Sequence, residues 1–319
     1  MTPSRRDILK AAAVVAFAPA ALAADAQPLA IVDTHQHLWD LDRLHLPWLD
    51  RAGPLLKRNY LMADYLKAVE GLNVTRAVYM EVEVAPDELD READWIVDVC
   101  RKADSPTVAA VIGGHPESDN FRSYITRFKG NRYVKGVRSP YPADGASNPK
   151  FIDGLKLLGE LGFSYDLLAD PSQVLQTAKV VEACKDTRFI LDHCGNAGTK
   201  FYMPAAGKDA ALLDRRKKWE EGLAALASHK NVICKISGVA EAGDPADSTA
   251  ENIAPVINRC INAFGDDRVI FAGNWPVVLK SLTLKQWVEI AKQITAPRGD
   301  AFQRKLFSEN AVRFYGLPS

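Results

Sequence analysis

The chain has 319 residues, of which 47% are apolar and 25% are charged, so a large folded core is available and extensive disorder is excluded. Its 40 Lys and Arg residues balance its 40 Asp and Glu residues. This balance argues against a nucleic-acid-binding protein, because such proteins carry a basic excess or a basic stripe. No run of about 20 apolar residues is present, so the sequence predicts no membrane-spanning helix. The five cysteines are scattered without a C-x-x-C pair, which predicts neither a disulfide framework nor a cysteine-based zinc site.

The first segment, residues 1–26, resembles a bacterial twin-arginine export signal. Arg5 and Arg6 are followed by an apolar pair and a lysine, an Ala/Val-rich stretch covers 11–23, and small residues then offer a cleavage site. The apolar stretch is too short to span a bilayer as a stable helix. We therefore expect export by the twin-arginine machinery and a periplasmic protein, with an ordinary amphipathic N-terminal helix as the alternative.

The rest of the chain, residues 27–319, is predicted to form a single α/β domain of alternating strands and helices. Apolar residues recur at spacings of three and four over 89–100 and 212–226, which is typical of helices that pack on one face. Short apolar and β-branched runs, typical of buried parallel strands, lie between the helical patterns. The predicted strands are 31–38, 76–83, 107–114, 134–139, 164–169, 189–195, 232–238 and 269–275.

The number of strand–helix units favours a (β/α)8 barrel, the TIM-barrel fold. About eight units fit into about 290 residues, as they do in such barrels. A doubly wound sheet usually carries a Gly-rich phosphate loop after its first strand, and neither G-x-G-x-x-G nor G-x-x-x-x-G-K is present. The barrel is therefore the predicted fold.

Three histidines fall at predicted strand ends, where the catalytic groups of such barrels lie. His35 and His37 are two residues apart on the first strand, so both imidazoles point the same way. His193, at the end of the sixth strand, reaches the same rim of the barrel. Converging imidazoles suit a divalent metal such as zinc or manganese, and three of them at strand ends indicate a functional site rather than isolated buried histidines.

The motif that contains the first two histidines is specific. The segment D-T-H-Q-H-L-W-D at 33–40 resembles the opening motif of the amidohydrolase-related (amidohydrolase 2) family, in the branch that contains sugar-lactone and dicarboxylate lactonases. Later segments are similar to the family's later blocks, in the same order, over essentially the whole of residues 31–319. These segments are K-G-V-R at 135–138, L-D-H-C-G-N at 191–196, C-K-I-S-G at 234–238, F-A-G-N-W-P-V at 271–277 and N-A-V-R-F-Y-G at 310–316.

The resemblance implies a metal-assisted, or sometimes metal-free, hydrolase that acts on small cyclic esters. It implies His35 and His37 as metal ligands or substrate-polarising groups, with His193 completing the site. One divalent metal, zinc or manganese, is the expected cofactor, and metal-free operation stays open. Ester hydrolysis also needs a proton acceptor and a stabilising group for the oxyanion.

One position departs from the family pattern. The family commonly has an aspartate where this chain has Asn274, and that carboxylate is a metal ligand or the general base. An amide does not accept a proton at neutral pH, so either another carboxylate is the base, or the base is of a different kind, or the activity is reduced. Glu81 and Glu83 near the end of the second strand, and Asp166 on the fifth, are the candidates, and the glutamates also allow a metal site with the strand-one histidines. The alternative for the glutamates is a solvated strand end. The predicted catalytic residues are His193, Asn274, Glu81 and Asp166.

Substrate contacts are predicted from other polar and aromatic residues near strand ends. A guanidinium at position 138 suits a substrate carboxylate, with a salt bridge across the rim as the alternative. The aromatic residues suit an apolar wall for a ring-shaped substrate, with plain packing as the alternative. The predicted substrate-binding residues are Arg138, Glu83, His115, Lys235, Trp39 and Trp275, and Trp48 and Tyr141 extend the aromatic wall.

Three hypotheses about function follow from these residues. The first is a periplasmic hydrolase that opens a sugar-type or carboxylated lactone by water attack. The second keeps the family and changes the reaction to decarboxylation. The third is a ligand-binding homologue whose catalysis is weakened, and Asn274 is the residue that keeps this hypothesis open.

Overall fold

The structure is a computed structural model, and it describes residues 28–318 of the chain. The predicted export signal, 1–26, lies outside the described residues and stays a prediction. Each of eight strands pairs in parallel with the next one along the chain, so the sheet runs in order from the first strand to the eighth. The strands are β1 (Ile31–Gln36), β2 (Val74–Met80), β3 (Thr107–Gly113), β4 (Val134–Pro140), β5 (Ser164–Leu168), β6 (Arg188–Leu191), β7 (Val232–Ile236) and β8 (Val269–Phe271).

Helices alternate with the strands, which confirms the predicted (β/α)8 architecture. Within residues 28–318, none of the helices is long and apolar enough to cross a membrane. A π-helical turn, Lys305–Glu309, joins the last two helices. The helices are α1 (Met62–Ala68), α2 (Leu89–Arg101), α3 (Phe121–Thr126), α4 (Pro149–Leu161), α5 (Val174–Ala183), α6 (His193–Asn196), α7 (Ala210–Ala227), α8 (Ala250–Phe264), α9 (Leu284–Thr295), α10 (Asp300–Arg304) and α11 (Asn310–Tyr315).

Several strands end earlier than the sequence predicts. The second, sixth and eighth strands stop three or four residues before their predicted ends, at Met80, Leu191 and Phe271. The residues that follow include Glu83, His193 and Asn274, whose φ angles are 51°, 51° and 53°. A positive φ interrupts the extended backbone. The chain therefore leaves the sheet where the predicted functional side chains begin.

The core has two parts. A larger apolar cluster lies between the strands and the helices. A smaller cluster takes residues from six different strands, which contact one another through the interior of the barrel, and Tyr315 of α11 packs on it. The strand residues of this cluster include Val32, Val78, Val111, Ile190, Ile233 and Ile270.

Three of the scattered cysteines come together, which the sequence did not indicate. The sulfur atoms of Cys194, Cys234 and Cys260 lie within 4.8 Å of one another, and all three residues are buried. Two of these thiols lie 3.6 and 3.7 Å from the carbonyl oxygen of Lys235. Hydrogen bonds from Cys234 and Cys260 hold the pKa of Cys194 well below its usual value, whereas burial raises the pKa of Cys234 and of Cys260. The three thiols therefore act together as one buried cluster.

Backbone and side-chain hydrogen bonds close the barrel between β1 and β8. Gln36 and Trp275 form an isolated parallel bridge, in which the amide of His37 donates to the carbonyl of Trp275 at 2.8 Å. The carboxylate of Asp33 accepts hydrogen bonds from the Gly273 amide at 2.7 Å and the Tyr65 hydroxyl at 2.9 Å. A Cβ on Gly273 would lie 2.5 Å from this carboxylate, so the close approach requires glycine.

Replacing Asp33 with alanine is expected to destabilise the barrel. The Gly273 amide and the Tyr65 hydroxyl would remain buried without an acceptor. We expect the free energy of unfolding to fall by roughly 2–5 kcal/mol, since each buried unpaired donor costs about 1–3 kcal/mol. Urea denaturation measures this loss, with Asp87→Ala as the matched control because Asp87 is exposed. Equal stability of the two variants would contradict this role for Asp33.

Candidate active site

A cavity of about 360 Å³ opens at the carboxyl ends of the strands. Its volume is within the range of pockets that bind small molecules. Residues that lie in or after six of the eight strands contribute to its lining, so the barrel brings together parts of the chain that are far apart in sequence. The lining residues are His37, Trp39, Trp48, Val82, Glu83, Arg138, His193, Asn196, Gly238, Glu241, Ala242, Asn274 and Val277.

The two histidines of β1 form a close pair. The Nδ1 atom of His37 lies 3.0 Å from the carbonyl oxygen of Met80. Because a carbonyl oxygen only accepts, this nitrogen carries the proton, and Nε2 of His37 keeps its lone pair. Nε2 of His35 lies 3.1 Å from Nε2 of His37, on the side of that lone pair. A proton or a metal cation is needed between the two nitrogens, since two facing lone pairs repel each other.

The third histidine is held against this pair by the end of β7. Nδ1 of His193 lies 2.9 Å from the hydroxyl oxygen of Ser237, and the ring centroids of His193 and His35 are 4.4 Å apart. Gly238 has a φ angle of 73°, and a Cβ there would lie 2.4 Å from the Cβ of His193. Glycine is therefore required at this position for both its backbone conformation and its small size.

A network of charged side chains lies beneath the cavity. Nε of Arg138 donates to Oε1 of Glu81 at 2.6 Å, and Nη2 donates to the Glu81 carbonyl at 2.9 Å. Nζ of Lys235 lies 2.5 Å from Oδ2 of Asp166 and 3.0 Å from Oδ1 of Asp192. All five side chains are buried. Buried charges need such partners, because their hydration is lost.

Both basic groups of the network also face His35. Nη1 of Arg138 lies 3.4 Å from its Nε2, and Nζ of Lys235 lies 3.4 Å from its Nδ1. Burial and the neighbouring charges of His193, Lys235, His37 and Arg138 hold the pKa of His35 well below its usual value. His35 is therefore neutral near pH 7 and has a lone pair to offer.

The other two histidines are also kept neutral. Burial, followed by the charge of Arg138, holds the pKa of His37 well below its usual value. Burial lowers the pKa of His193 to about 4, against the opposing influence of Asp192. Neutral imidazoles are the form that binds metal ions.

The buried carboxyl groups differ in their ionisation. Burial raises the pKa of Asp166 to about 7, although Lys235 opposes the shift. Burial also acts to raise the pKa of Asp192, but Lys235, His193 and Arg138 outweigh it, so this pKa lies below its ordinary value. Asp192 therefore carries a negative charge beside the histidines.

The residues present fit a divalent metal ion. Ligand atoms of His35, Asp192 and His193 lie within 4.8 Å of one another. The 3.1 Å between Nε2 of His35 and Nε2 of His37 is close to the separation of about 3.3 Å that two zinc ligands at 2.0–2.1 Å have in a tetrahedron. Nζ of Lys235 lies 3.0 Å from Oδ1 of Asp192, whereas Oδ2 has no hydrogen-bond donor among the described residues. This buried oxygen without a donor favours a further cation nearby.

The residue at the end of β8 contacts a carboxylate rather than the histidines. Nδ2 of Asn274 donates to Oε1 of Glu241 at 2.8 Å. Asn274 is buried, whereas Glu241 is half-buried in the loop after β7. Glu241 and Glu83 are the two carboxylates that the described structure places on the cavity wall. Burial raises the pKa of both glutamates.

The structure places most of the predicted residues in or directly beneath the cavity. Trp39 and Trp48 form an aromatic part of the wall. The predicted residues that line it are His37, His193, Asn274, Arg138, Glu83 and Trp39, and those in the layer beneath it are His35, Glu81, Asp166 and Lys235.

Three predicted contact residues lie elsewhere. Trp275 packs edge-on against Tyr60 and Tyr65, with ring centroids 5.3 and 5.4 Å apart. Tyr141 packs against Phe151. Neither ring is part of the cavity lining, and neither is His115, whose Nδ1 lies 3.7 Å from Glu117. Packing accounts for both aromatic residues, as the sequence had left open.

Sequence reasoning missed two acidic residues and one amide. Asp192 immediately precedes His193, and that adjacency was a usable signal for a buried carboxylate at the strand end. Asn196 ends the L-D-H-C-G-N segment, in α6, whereas Glu241 lies in the loop after β7, which carries no recognisable pattern. The position of Glu241 depends on how that loop returns over the barrel.

Comparison with known proteins agrees with the fold. Residues 32–317 match the family model described as Amidohydrolase. The chain belongs to the amidohydrolase family. This confirms the resemblance found in the sequence and identifies the chain as an enzyme of a hydrolase family.

Two curated proteins and one solved structure show how this amidohydrolase relates to others. A protein named y4mH, from Sinorhizobium fredii, is 29% identical over 308 residues, with 90% of this chain and 98% of that protein covered. An L-fucono-1,5-lactonase from Burkholderia multivorans is 25% identical over 300 residues, with 90% and 96% covered. The crystal structure of an amidohydrolase from Burkholderia multivorans with bound zinc shares the fold, with a TM-score of 0.76, 21% identity, and 91% and 100% of the chains covered.

Replacing Lys235 with methionine is expected to destabilise the amidohydrolase strongly. Asp166 and Asp192 would lose their closest cation while they remain buried. We expect the free energy of unfolding to fall by roughly 3–5 kcal/mol, as for other broken buried ion pairs. Denaturant titration measures the change, and Lys285→Met, at an exposed position, is the matched control. A loss no larger than that of the control would contradict the network.

Proposed function

We propose that this amidohydrolase opens a small, uncharged, hydroxylated lactone by hydrolysis. The observation that carries the proposal is the engagement of Arg138. Two of its donor nitrogens bond to Glu81, and the third faces His35 and Asp192. The charge of Arg138 is therefore already paired with Glu81, and its Nε edge is not available for a bidentate contact with a substrate carboxylate.

The charge on the cavity wall supports an uncharged substrate. Among the residues that the structure describes, Arg138 is the only lysine or arginine that lines the cavity. Glu83 and Glu241 also line it, and two carboxylates disfavour an anionic ligand through like-charge repulsion. A neutral ring with hydroxyl groups instead finds hydrogen-bond acceptors there.

The remaining wall suits a compact ring. Trp39, Trp48 and Val82 offer apolar surface, and the Trp48 indole is fixed by a hydrogen bond to the Val82 carbonyl at 2.7 Å. Asn196 and Asn274 offer amide groups. The relatedness to an L-fucono-1,5-lactonase at 25% identity supports a sugar-type lactone as the substrate class.

His35, His37 and His193 would hold one divalent ion, with zinc or manganese as the candidates. When bound, such an ion supplies a Lewis acid that polarises a carbonyl oxygen and acidifies water. The chain's own residues orient this donor set. The Met80 carbonyl fixes the tautomer of His37, and Ser237 fixes the ring of His193. The indoles and the half-buried glutamates position the lactone ring and water against these histidines.

The substrate class can be tested with a pair of lactones that differ in charge. Purified protein is assayed for proton release with a neutral sugar lactone and with a lactone of similar size that carries a carboxylate. We expect kcat/KM to be about tenfold or more higher for the neutral lactone, since about 1.4 kcal/mol of repulsion gives a factor of ten.

Three other results of this assay would each indicate a different substrate or function. Preference for the carboxylated lactone would contradict the role assigned to Arg138. Release of CO2 without ring opening would favour decarboxylation, and tight binding of lactones without turnover would favour a ligand-binding homologue. A His35→Ala/His37→Ala variant serves as the inactive control.

Metal content provides a separate test. We expect about one divalent ion per chain by elemental analysis, as for a single site with histidine ligands. Removal by a chelator should abolish turnover, and added zinc or manganese should restore it. Full activity after the metal has been removed would show metal-free operation and contradict this part of the proposal.

A further inference from the structure

We infer that Glu241, held in place by Asn274, accepts the proton of the attacking water. This inference rests on the proposed lactone hydrolysis. It assigns the proton acceptor that the sequence analysis looked for at Glu81, Glu83 and Asp166, and places it in the loop after β7.

The geometry gives Glu241 one held oxygen and one available oxygen. Oε1 accepts the hydrogen bond from Nδ2 of Asn274 at 2.8 Å. Glu241 lines the cavity together with His37 and His193, so it borders the same space as the proposed metal-binding histidines. With Oε1 bound, Oε2 is the atom that remains for a water molecule.

The other carboxylates near the cavity are less suited to this task. Glu81 is bound to Arg138 and to the amide of Glu83, while Asp166 and Asp192 are fully buried next to Lys235. Glu83 lines the cavity, but its carboxylate has no hydrogen bond from the residues that the structure describes. A base works best when it is held in one orientation, and Glu241 is the wall carboxylate that is held.

The surroundings of Glu241 raise its pKa, which makes its carboxylate a better proton acceptor. Burial raises its pKa, and the Asn274 hydrogen bond, its own backbone amide and the charge of Lys280 limit the rise, while Cys194 adds slightly to it. The titratable and charged residues that also line the cavity are Glu83, Arg138, His37 and His193. A carboxylate with a raised pKa is a better proton acceptor, and it is still ionised above that pKa.

The proposed step balances in atoms and charge. The water oxygen forms a bond to the lactone carbonyl carbon while one water O–H bond breaks and its proton moves to Oε2 of Glu241. The bond between the carbonyl carbon and the ring oxygen then breaks, and the proton passes from Glu241 to that oxygen. The product is an open-chain hydroxy acid, which ionises at neutral pH and releases the proton that the assay detects.

Asn274 has a positioning role in this scheme. Its amide donates a hydrogen bond to Glu241 and adds no charge. An aspartate at 274 would place a second carboxylate next to the first, and two neighbouring carboxylates raise the pKa of one of them. The amide thus holds the base without changing its charge.

The test compares the pH profiles of three variants with that of the metal-loaded wild-type protein on a neutral sugar lactone. Because the base must be ionised, kcat/KM of the wild type should fall as the pH falls through the pKa of Glu241. In Glu241→Gln, we expect kcat to fall about 100-fold or more and this acidic limb to disappear, with KM little changed. In Asn274→Asp, the limb should move to higher pH.

Glu251→Gln is the matched control, because Glu251 is exposed at the start of α8, and it should keep the wild-type rate and profile. The thermal midpoint and metal content of Glu241→Gln should equal those of the wild type. Wild-type kcat in Glu241→Gln, or a loss that leaves the acidic limb in place or accompanies lost metal, would overturn the assignment. An unmoved limb in Asn274→Asp would overturn it as well. A wild-type protein that opens no lactone would instead overturn the proposed function on which the assignment rests.

Discussion

The arrangement of this site depends on the pairing of buried charges at the carboxyl end of the barrel. Arg138 and Lys235 come from different strands, and neither has access to enough water to remain charged alone. Their partners, Glu81, Asp166 and Asp192, come from three further strand ends. Each ion pair therefore ties two strands together, and the polar layer is stable only when all of its members are present.

The same layer controls the histidine at its centre. His35 is contacted on one ring nitrogen by Arg138 and His37, and on the other by Lys235 and, at 3.8 Å, by Asp192. Its orientation and its neutral state follow from these contacts. The pairing that stabilises the barrel thus also prepares the donor atoms of the candidate metal site.

The sequence predicts the barrel and the strand-one histidines well, because both produce local patterns. Apolar runs mark the strands, and residues two apart on one strand must share a direction. The sequence predicts Arg138 and Lys235 as substrate contacts, with a salt bridge as the alternative for Arg138, and the structure pairs both with acidic residues. That pairing joins residues up to 69 positions apart, as between Lys235 and Asp166, and no local pattern reveals it.

Loop residues are also harder to predict, because their contacts join distant parts of the chain and leave no local pattern. Glu241 comes to Asn274 across 33 positions, through a loop whose path is set by packing rather than by periodicity. The ends of β2, β6 and β8 were extended too far, because a positive φ at the next few residues is not visible in hydrophobic patterns. Trp275 was assigned to the site by its neighbourhood in sequence, although its ring packs away from the cavity.

The cavity has a floor of buried strand-end residues and a wall of loop residues. This division affects how such an enzyme can change its substrate preference. Exchanges at Trp48, Glu83 or Val277, which are half-buried, disturb little of the charged layer and cost little stability. Single exchanges within that layer leave an unpaired charge. New substrate preferences are therefore most accessible to selection, natural or in the laboratory, through libraries confined to the loops.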